Sequence, residues 1–95
     1  MLWNRVLDHT LGFWKPEAAG DAVEGVLFSI GVGANGQYLT LKTDDGSVNL
    51  VGVTTLLERV PWEKYLSRRV RITFARTEVS KTGRTYMLFD VDVEA

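Results

Sequence analysis

Apolar and polar residues alternate along most of the chain from residue 22 onward, with the period of two that is typical of β-strands. Turn-forming residues separate several of these alternating stretches. The predicted strands cover residues 23–33, 37–43, 47–53, 69–77 and 85–94. The pattern therefore predicts a mainly β domain of five strands.

Three dipeptides that end in glycine mark turns between consecutive strands. Asn-Gly and Asp-Gly suit the left-handed backbone positions of two-residue hairpin loops. The third dipeptide, Thr-Gly, separates the last two strands. We therefore expect two-residue loops at Asn35-Gly36, Asp45-Gly46 and Thr82-Gly83.

These expected loops determine which side chains face the core, because a slip of one residue turns a strand over. They pair Ile30 with Leu41, and Leu41 in turn with Leu50. In the last hairpin they pair Ile72 with Val93. The core-facing side chains are then expected to be Val26, Phe28, Ile30 and Val32, Leu39 and Leu41, Val48 and Leu50, Val70, Ile72 and Phe74, and Met87, Phe89, Val91 and Val93.

Two segments depart from the β pattern and predict helices. Thr55 and Glu58 have the spacing of a capping box, and Pro61 limits the helix that follows. Near the N-terminus, apolar residues at helical spacing predict a short amphipathic helix, namely Leu2, Val6, Leu7 and Leu11. We expect an N-terminal arm over residues 1–21 and one domain over residues 22–95.

Charge is nearly balanced over the whole chain but unevenly distributed. The 11 basic and 12 acidic residues give a net charge of −1, which excludes a uniformly basic nucleic-acid binder. Residues 67–86, however, carry a local net charge of +5. Such a polarised surface can bind a polyanion on one side. The basic residues of this stretch are Arg68, Arg69, Arg71, Arg76, Lys81 and Arg84, and its acidic residue is Glu78.

Catalytic chemistry has little support in the sequence. Cysteine is absent, which excludes disulfides and thiolate ligands, and His9 is the one histidine. Asp90 and Asp92 share a strand face but are explained more simply as ion-pair partners of arginines than as a cation site. The chain has no apolar run of the length that spans a bilayer. We expect a soluble, cytoplasmic protein that is not an enzyme and has no cofactor, metal or membrane partner.

The order of elements, three strands, a helix and two strands, resembles the oligonucleotide/oligosaccharide-binding (OB) family, and in particular small single-stranded DNA-binding proteins. The resemblance covers roughly residues 22–94. It is closest over Tyr65-Leu-Ser-Arg-Arg-Val-Arg-Ile and Lys81-Thr-Gly-Arg-Thr-Tyr86. OB domains often have glycine before strand four, where this chain has Ser67. The resemblance implies a five-stranded Greek-key barrel with one helix between strands three and four.

The resemblance also implies a nucleic-acid site on strands two and three and in the neighbouring loops. Single strands bind by stacking bases on aromatic rings and by pairing phosphates with cations. Trp62 and Tyr65 are expected in the core instead. The candidate site residues are Tyr38, Lys42, Asn49, Arg76, Lys81, Arg84 and Tyr86. We therefore predict binding of single-stranded DNA with low sequence specificity, and the choice between DNA and RNA stays open.

An alternative hypothesis is a protein-interaction module. Its N-terminal aromatic residues, Trp3, Phe13 and Trp14, would dock a protein partner or form a homo-oligomer, since aromatic side chains dominate interface energetics. The nearly neutral net charge favours this hypothesis. A third interpretation is that the arm packs its aromatic rings on the domain and closes one end of the barrel. Deletion of residues 1–16 would discriminate between partner binding and nucleic-acid binding.

Overall fold

The computed structural model describes residues 13–34 and 36–95. Five antiparallel strands form one sheet in the order β3-β2-β1-β4-β5. The prediction of a mainly β protein is confirmed. The strands are β1 Ala22–Gly33, β2 Gly36–Lys42, β3 Val48–Gly52, β4 Arg69–Val79 and β5 Thr85–Val93.

The central strand β1 changes neighbours along its length. Its first half, Ala22 to Val26, pairs with β4, and the remainder pairs with β2. A bulge leaves Phe28 without a partner, so Leu27 is fully buried whereas Phe28 is 66% exposed. Because a bulge adds one residue, it reverses the alternation of faces.

The expectation that Val26 and Phe28 face the core is therefore wrong, and Val32, on the same face as Ile30, is 82% exposed near the end of β1. Val23 and Leu27 occupy the buried positions before the bulge. Beyond the bulge Ile30 packs against the core as expected, because the β1–β2 turn pairs it with Leu39. The two-residue loop Asn35-Gly36 does not form as expected, since Gly36 is paired with Gly33.

The turn between β2 and β3 is one residue longer than expected. The Thr43 N–H donates to the Ser47 carbonyl at 2.9 Å, and Gly46 has a φ of +87°. The side chain of Asp45 accepts hydrogen bonds from the Thr43 hydroxyl and the Ser47 N–H, which lower the pKa of Asp45 to about 2. The three residues between Thr43 and Ser47 replace the predicted two-residue loop.

This extra turn residue reverses the faces of β3. Leu41 pairs with Asn49 and Leu39 with Val51. Val51 is therefore buried, at 2% exposure, while Val48 and Leu50 are only half-buried. The expectation that Val48 and Leu50 face the core is wrong for this reason.

The β4–β5 hairpin contains two irregularities whose effects on the core face cancel. Its turn spans three residues, with the Ser80 N–H donating to the Arg84 carbonyl at 2.8 Å, and a bulge at Ala75 adds one more residue. Ile72 consequently pairs with Val91 rather than Val93. Phe89, Val91 and Val93 pack against the core as expected, but Met87 is 38% exposed.

Two short 3-10 turns, Leu57–Arg59 and Trp62–Tyr65, replace the α-helix predicted between β3 and β4. No side chain caps either turn, so the predicted capping box is not used. Trp62 is almost fully buried and donates from its indole Nε1 to the Leu57 carbonyl at 2.9 Å. The prediction that Trp62 belongs to the core is confirmed.

The core lies on one face of the sheet, against the two 3-10 turns. The predicted N-terminal helix, with Trp3 and His9, lies outside the described residues. Within residues 13–34 and 36–95, no helix is long and apolar enough to cross a membrane. The buried side chains are Val23, Leu27, Leu39, Leu41, Val51, Leu57, Trp62, Val70 and Ile72, with Phe74 at 7% exposure.

Residues 13–16, which we call the edge segment, contact both edge strands of the sheet. Phe13 forms a parallel bridge with Leu50 of β3, and the Trp14 N–H donates to the Leu50 carbonyl at 2.7 Å. The Trp14 ring lies 6.1 Å from the ring of Phe89 on β5. The edge segment therefore joins the two strands that end the sheet.

Candidate functional site

A groove of about 640 Å³ opens beside the edge segment. The β1–β2 turn, the end of β3 and the β5 strand form its other walls. Its lining is mostly apolar, and its largest side chains are Phe13, Trp14, Tyr38, Met87 and Phe89. The groove thus gathers aromatic rings from three separate parts of the chain.

The Tyr38 ring lies in this groove over the glycines of the neighbouring strand β1. Its backbone pairs with Gly31, and its ring occupies the space that a side chain at Gly31 would fill. A Cβ at Gly33 would lie 3.7 Å from the same ring, an ordinary contact distance. Phe13 approaches from the edge segment, with ring centroids 6.0 Å apart and planes at 85°. Gly31 therefore makes room for the ring position that the structure shows.

The two aromatic residues of the edge segment have different surroundings. Phe13 is 50% exposed and contacts Tyr38. Trp14 is half-buried and packs against the core beside Phe89. The structure thus brings two of the three proposed partner-binding aromatics into the groove.

Arg76 and Tyr86 lie on the other side of the β4–β5 hairpin. The bulge at Ala75 pairs Arg76 with Leu88, on the face opposite Phe89. There Arg76 Nη2 lies 2.9 Å from Glu78 Oε1, and the Tyr86 hydroxyl donates to Glu78 Oε2 at 3.3 Å. The structure does not bring these two predicted site residues to the groove.

Lys81 and Arg84 lie in the turn of the same hairpin and are exposed. The β1–β4 ladder ends at Thr73, so the hairpin continues past β1 as two strands. Met87, on the inner side of this extension, lines the groove. The turn therefore carries two cations at the end of a strand pair that borders the groove.

Lys42 and Asn49 are separated by the sheet. Lys42 is exposed and shares a strand face with Tyr38. Asn49 pairs with the buried Leu41 and so lies on the core side. The expectation that Asn49 faces outward beside Lys42 is wrong, because the β2–β3 turn is one residue longer than predicted.

Acidic neighbours neutralise much of the positive charge of β4. Arg69 contacts Asp44, Glu94 and Glu24 at 2.7, 3.1 and 3.7 Å. The hydrogen bond and charge of Asp44 raise the pKa of the Arg69 guanidinium. Arg71 lies 3.5 Å from Glu24. Among the described residues, no ion pair involves Lys15, Lys42, Lys81 or Arg84.

The pattern of residues gave only a partial signal for this groove. The glycines at 31 and 33 share one face of β1, which is a mark of close approach, and Tyr38 makes that approach. Alternation predicts Met87 in the core, but it lies in the groove because the hairpin extends past β1. No periodicity indicates that Phe13 reaches Tyr38, because the edge segment pairs through a single bridge.

The groove can make non-covalent contacts. The described residues that line it offer aromatic, aliphatic and hydroxyl groups, the carboxamide of Gln37 and the ammonium of Lys15, but no carboxylate, imidazole or thiol. No group of three or more metal-ligating side chains occurs in the part of the chain that the structure describes. No protein-family model, curated protein or solved structure matches the chain.

Proposed function

We propose that this chain forms an OB-type barrel that binds single-stranded nucleic acid, DNA foremost, with low sequence specificity. The observation that carries the proposal is the groove in which Phe13 and Tyr38 meet. It borders the β1–β2 turn and β3, where OB domains bind oligonucleotides. Aromatic rings at such a place serve as platforms on which bases stack.

The strand order supports a partly open barrel. β3 and β5 are the two edges of the sheet, and β1 lies at its centre with a bulge. Bulges bend strands and let a sheet curl. The edge segment contacts β3 through Leu50 and β5 through Phe89, as it would if it filled the opening between two converging edges.

Ser67 also supports the OB resemblance. It has a φ of +69°, a left-handed conformation that glycine adopts without strain. OB domains often have glycine at this point before strand four. The backbone of this chain thus has the shape that the family's glycine favours, with serine in its place.

The chemistry of the groove matches a single strand better than a duplex or a specific sequence. Stacking on aromatic rings tolerates every base, since every base has a π-face. Lys15 in the groove, with Lys81 and Arg84 at the hairpin turn, supplies cations for phosphates. The lining of the groove is mostly apolar, which favours low sequence specificity.

A fluorescence titration with oligothymidine tests this proposal. Trp14 lies in the groove, so binding should quench tryptophan emission. We expect Tyr38→Ala to weaken binding about 5- to 150-fold, because one stacked base contributes about 1–3 kcal/mol. Tyr86→Ala is the matched control, since Tyr86 lies on the opposite face of its hairpin. Equal losses in both variants, or no saturable quenching by the parent chain, would contradict the proposal.

The protein-interaction hypothesis is the alternative that this titration also addresses. Two of its three aromatic residues, Phe13 and Trp14, already contact the chain's own edge strands, β3 and β5. Deletion of residues 1–16 would therefore also uncover the core at Phe89, so point substitutions are the sharper test. If the parent chain fails to bind oligothymidine at low salt, the protein-interaction hypothesis becomes the favoured one.

A further inference from the structure

We infer that the edge segment exchanges between two copies of this chain. In the exchanged dimer, Phe13 and Trp14 of each copy would complete the groove of the other. This exchange assembles the groove whatever the groove binds. In the dimer, residues 13–16 of a second copy occupy the β3 edge.

The edge segment contacts the main sheet through the bridge to Leu50, one backbone hydrogen bond, and ring contacts with Tyr38 and Phe89. Trp14 also packs against the core. Each of these contacts is reproduced when the segment comes from a second chain. Exchange of an identical element is a low-cost route to a dimer, because no new interface chemistry is required.

Residues 17–21 form the linker between the edge segment and β1. The Asp21 carboxylate accepts hydrogen bonds from the N–H groups of Glu17 and Ala18 at 2.8 and 2.9 Å, and Gly20 has a φ of +98°. These bonds form one local turn. Residues 17–20 are exposed, so straightening the turn uncovers little apolar surface.

The linker is anchored to the sheet at its C-terminal end. Gly20 donates to the Phe74 carbonyl at 2.7 Å, and Phe74 donates to the Asp21 carbonyl at 2.8 Å. Everything from Gly20 onward is therefore held in place when the turn opens. The pivot of the exchange lies within residues 17–19.

The sequence of the edge segment explains why the same segment of a second copy fits the β3 edge. Two successive aromatic residues place one ring on Tyr38 and the next beside Phe89, on opposite faces of the β3 edge. Pro16 has no N–H, which limits how far pairing along β3 can continue. A second copy carries this arrangement in the same register.

The chain's own edge segment competes with that of a second copy at an effective concentration of about millimolar. The fraction of dimer should therefore rise with protein concentration.

Cross-linking between two different variants tests the exchange directly. The chain has no cysteine, so Phe13→Cys and Leu50→Cys can be introduced in separate chains. Residues 13 and 50 are bridge partners, and a disulfide between the two variants requires the segment of one chain on the β3 edge of the other. The control replaces Leu50→Cys with Glu63→Cys, an exposed position in the second 3-10 turn.

After mild oxidation of equal mixtures at rising protein concentration, we expect the 13–50 heterodimer to exceed the 13–63 heterodimer at least tenfold. A 13–50 yield equal to that of the control would overturn the inference. The excess of one heterodimer over the other is measured by mass spectrometry, and it does not require that either variant bind nucleic acid.

Linker length provides a second test in chains that keep Phe13. Deletion of Ala18 and Ala19 should prevent the segment from folding back and lower the dimer dissociation constant at least tenfold. Insertion of Gly-Ser-Gly after Ala19 lengthens the linker, so the segment folds back more easily. The dimer dissociation constant should then rise. Sedimentation equilibrium measures both. Equal dissociation constants for the two variants and the parent chain would also overturn the inference.

Discussion

Ser67 is the one non-glycine residue with a positive φ among those described, and its strain is measurable. Its N–H donates to the Leu27 carbonyl at 2.8 Å, which holds the chain in this conformation. We expect Ser67→Gly to raise the free energy of unfolding by about 0.5 kcal/mol, since relief of the left-handed strain exceeds the added backbone entropy of glycine. Ser67→Ala, which keeps the strain, should leave it unchanged. Urea denaturation measures both, and a gain for alanine equal to that for glycine would contradict the explanation.

The contact between Gly31 and Tyr38 predicts a second effect at single residues. A methyl group at position 31 overlaps the Tyr38 ring, whereas one at position 33 fits beside it. We expect Gly31→Ala to displace the ring and weaken oligothymidine binding about tenfold, and Gly33→Ala to leave binding within about twofold. The near-ultraviolet circular dichroism of tyrosine should change only in Gly31→Ala. If the spectrum changes but the affinity does not, Tyr38 is not a stacking platform.

At the level of the strands, the face of β3 that packs on the core predicts which of its valines contributes to stability. Val51 is buried beside Leu39, whereas Val48 pairs with the exposed Lys42. Val51→Thr should therefore lower the free energy of unfolding by about 1–3 kcal/mol, because it buries a hydroxyl group. Val48→Thr should change it by less than about 0.5 kcal/mol. A larger loss for Val48→Thr than for Val51→Thr would instead support the β2–β3 register with a two-residue turn.

The strands themselves were predictable, but their registers were only partly so. Alternation identifies Leu39 and Leu41 of β2 correctly, and the same holds for the inward side chains of β4. The face of β3 depends on whether the Asp45-Gly46 turn has two or three residues, and both suit the dipeptide. The bulge at Phe28 is a tertiary effect, because β1 must leave β4 and continue with β2 there. Local sequence carries no comparable signal for such a change of neighbour.

The site was less predictable than the fold for the same reason. The alternation predicts that Tyr38 faces away from the core, and the structure places its ring in the groove beside Phe13. Asn49 and Arg76 lie elsewhere because one added residue in a turn or bulge moves a side chain across the sheet. The groove also needs Phe13, whose contact with Tyr38 joins residues distant in the chain. Long-range contacts of this kind are not encoded in any local period.

Over the whole molecule, a net charge of −1 is compatible with binding a polyanion because the charges are sorted in space. Arg69 and Arg71 sit in a network with Glu24, Asp44 and Glu94. Arg76 is likewise paired with Glu78. Exposed pairs of this kind contribute about 0–1 kcal/mol each to stability. Lys81 and Arg84 of the hairpin turn and Lys15 of the groove take part in none of these pairs, so their charges stay available to phosphates.

This distribution of charge predicts the salt dependence of oligothymidine binding. Phosphate contacts by Lys15, Lys81 and Arg84 would make the logarithm of the binding constant fall with the logarithm of salt concentration at a slope of about −2. The Lys81→Ala, Arg84→Ala double variant should reduce the slope to about −0.7, because two counterion-releasing contacts are lost. Arg76→Ala is the matched control, since Glu78 already neutralises that guanidinium on the opposite face. Titrations between low and moderate salt give the three slopes.

If the double variant has the same slope as the parent chain, the bound strand lies away from the hairpin turn. A slope reduced equally by Arg76→Ala would instead move it to the outer face of that hairpin.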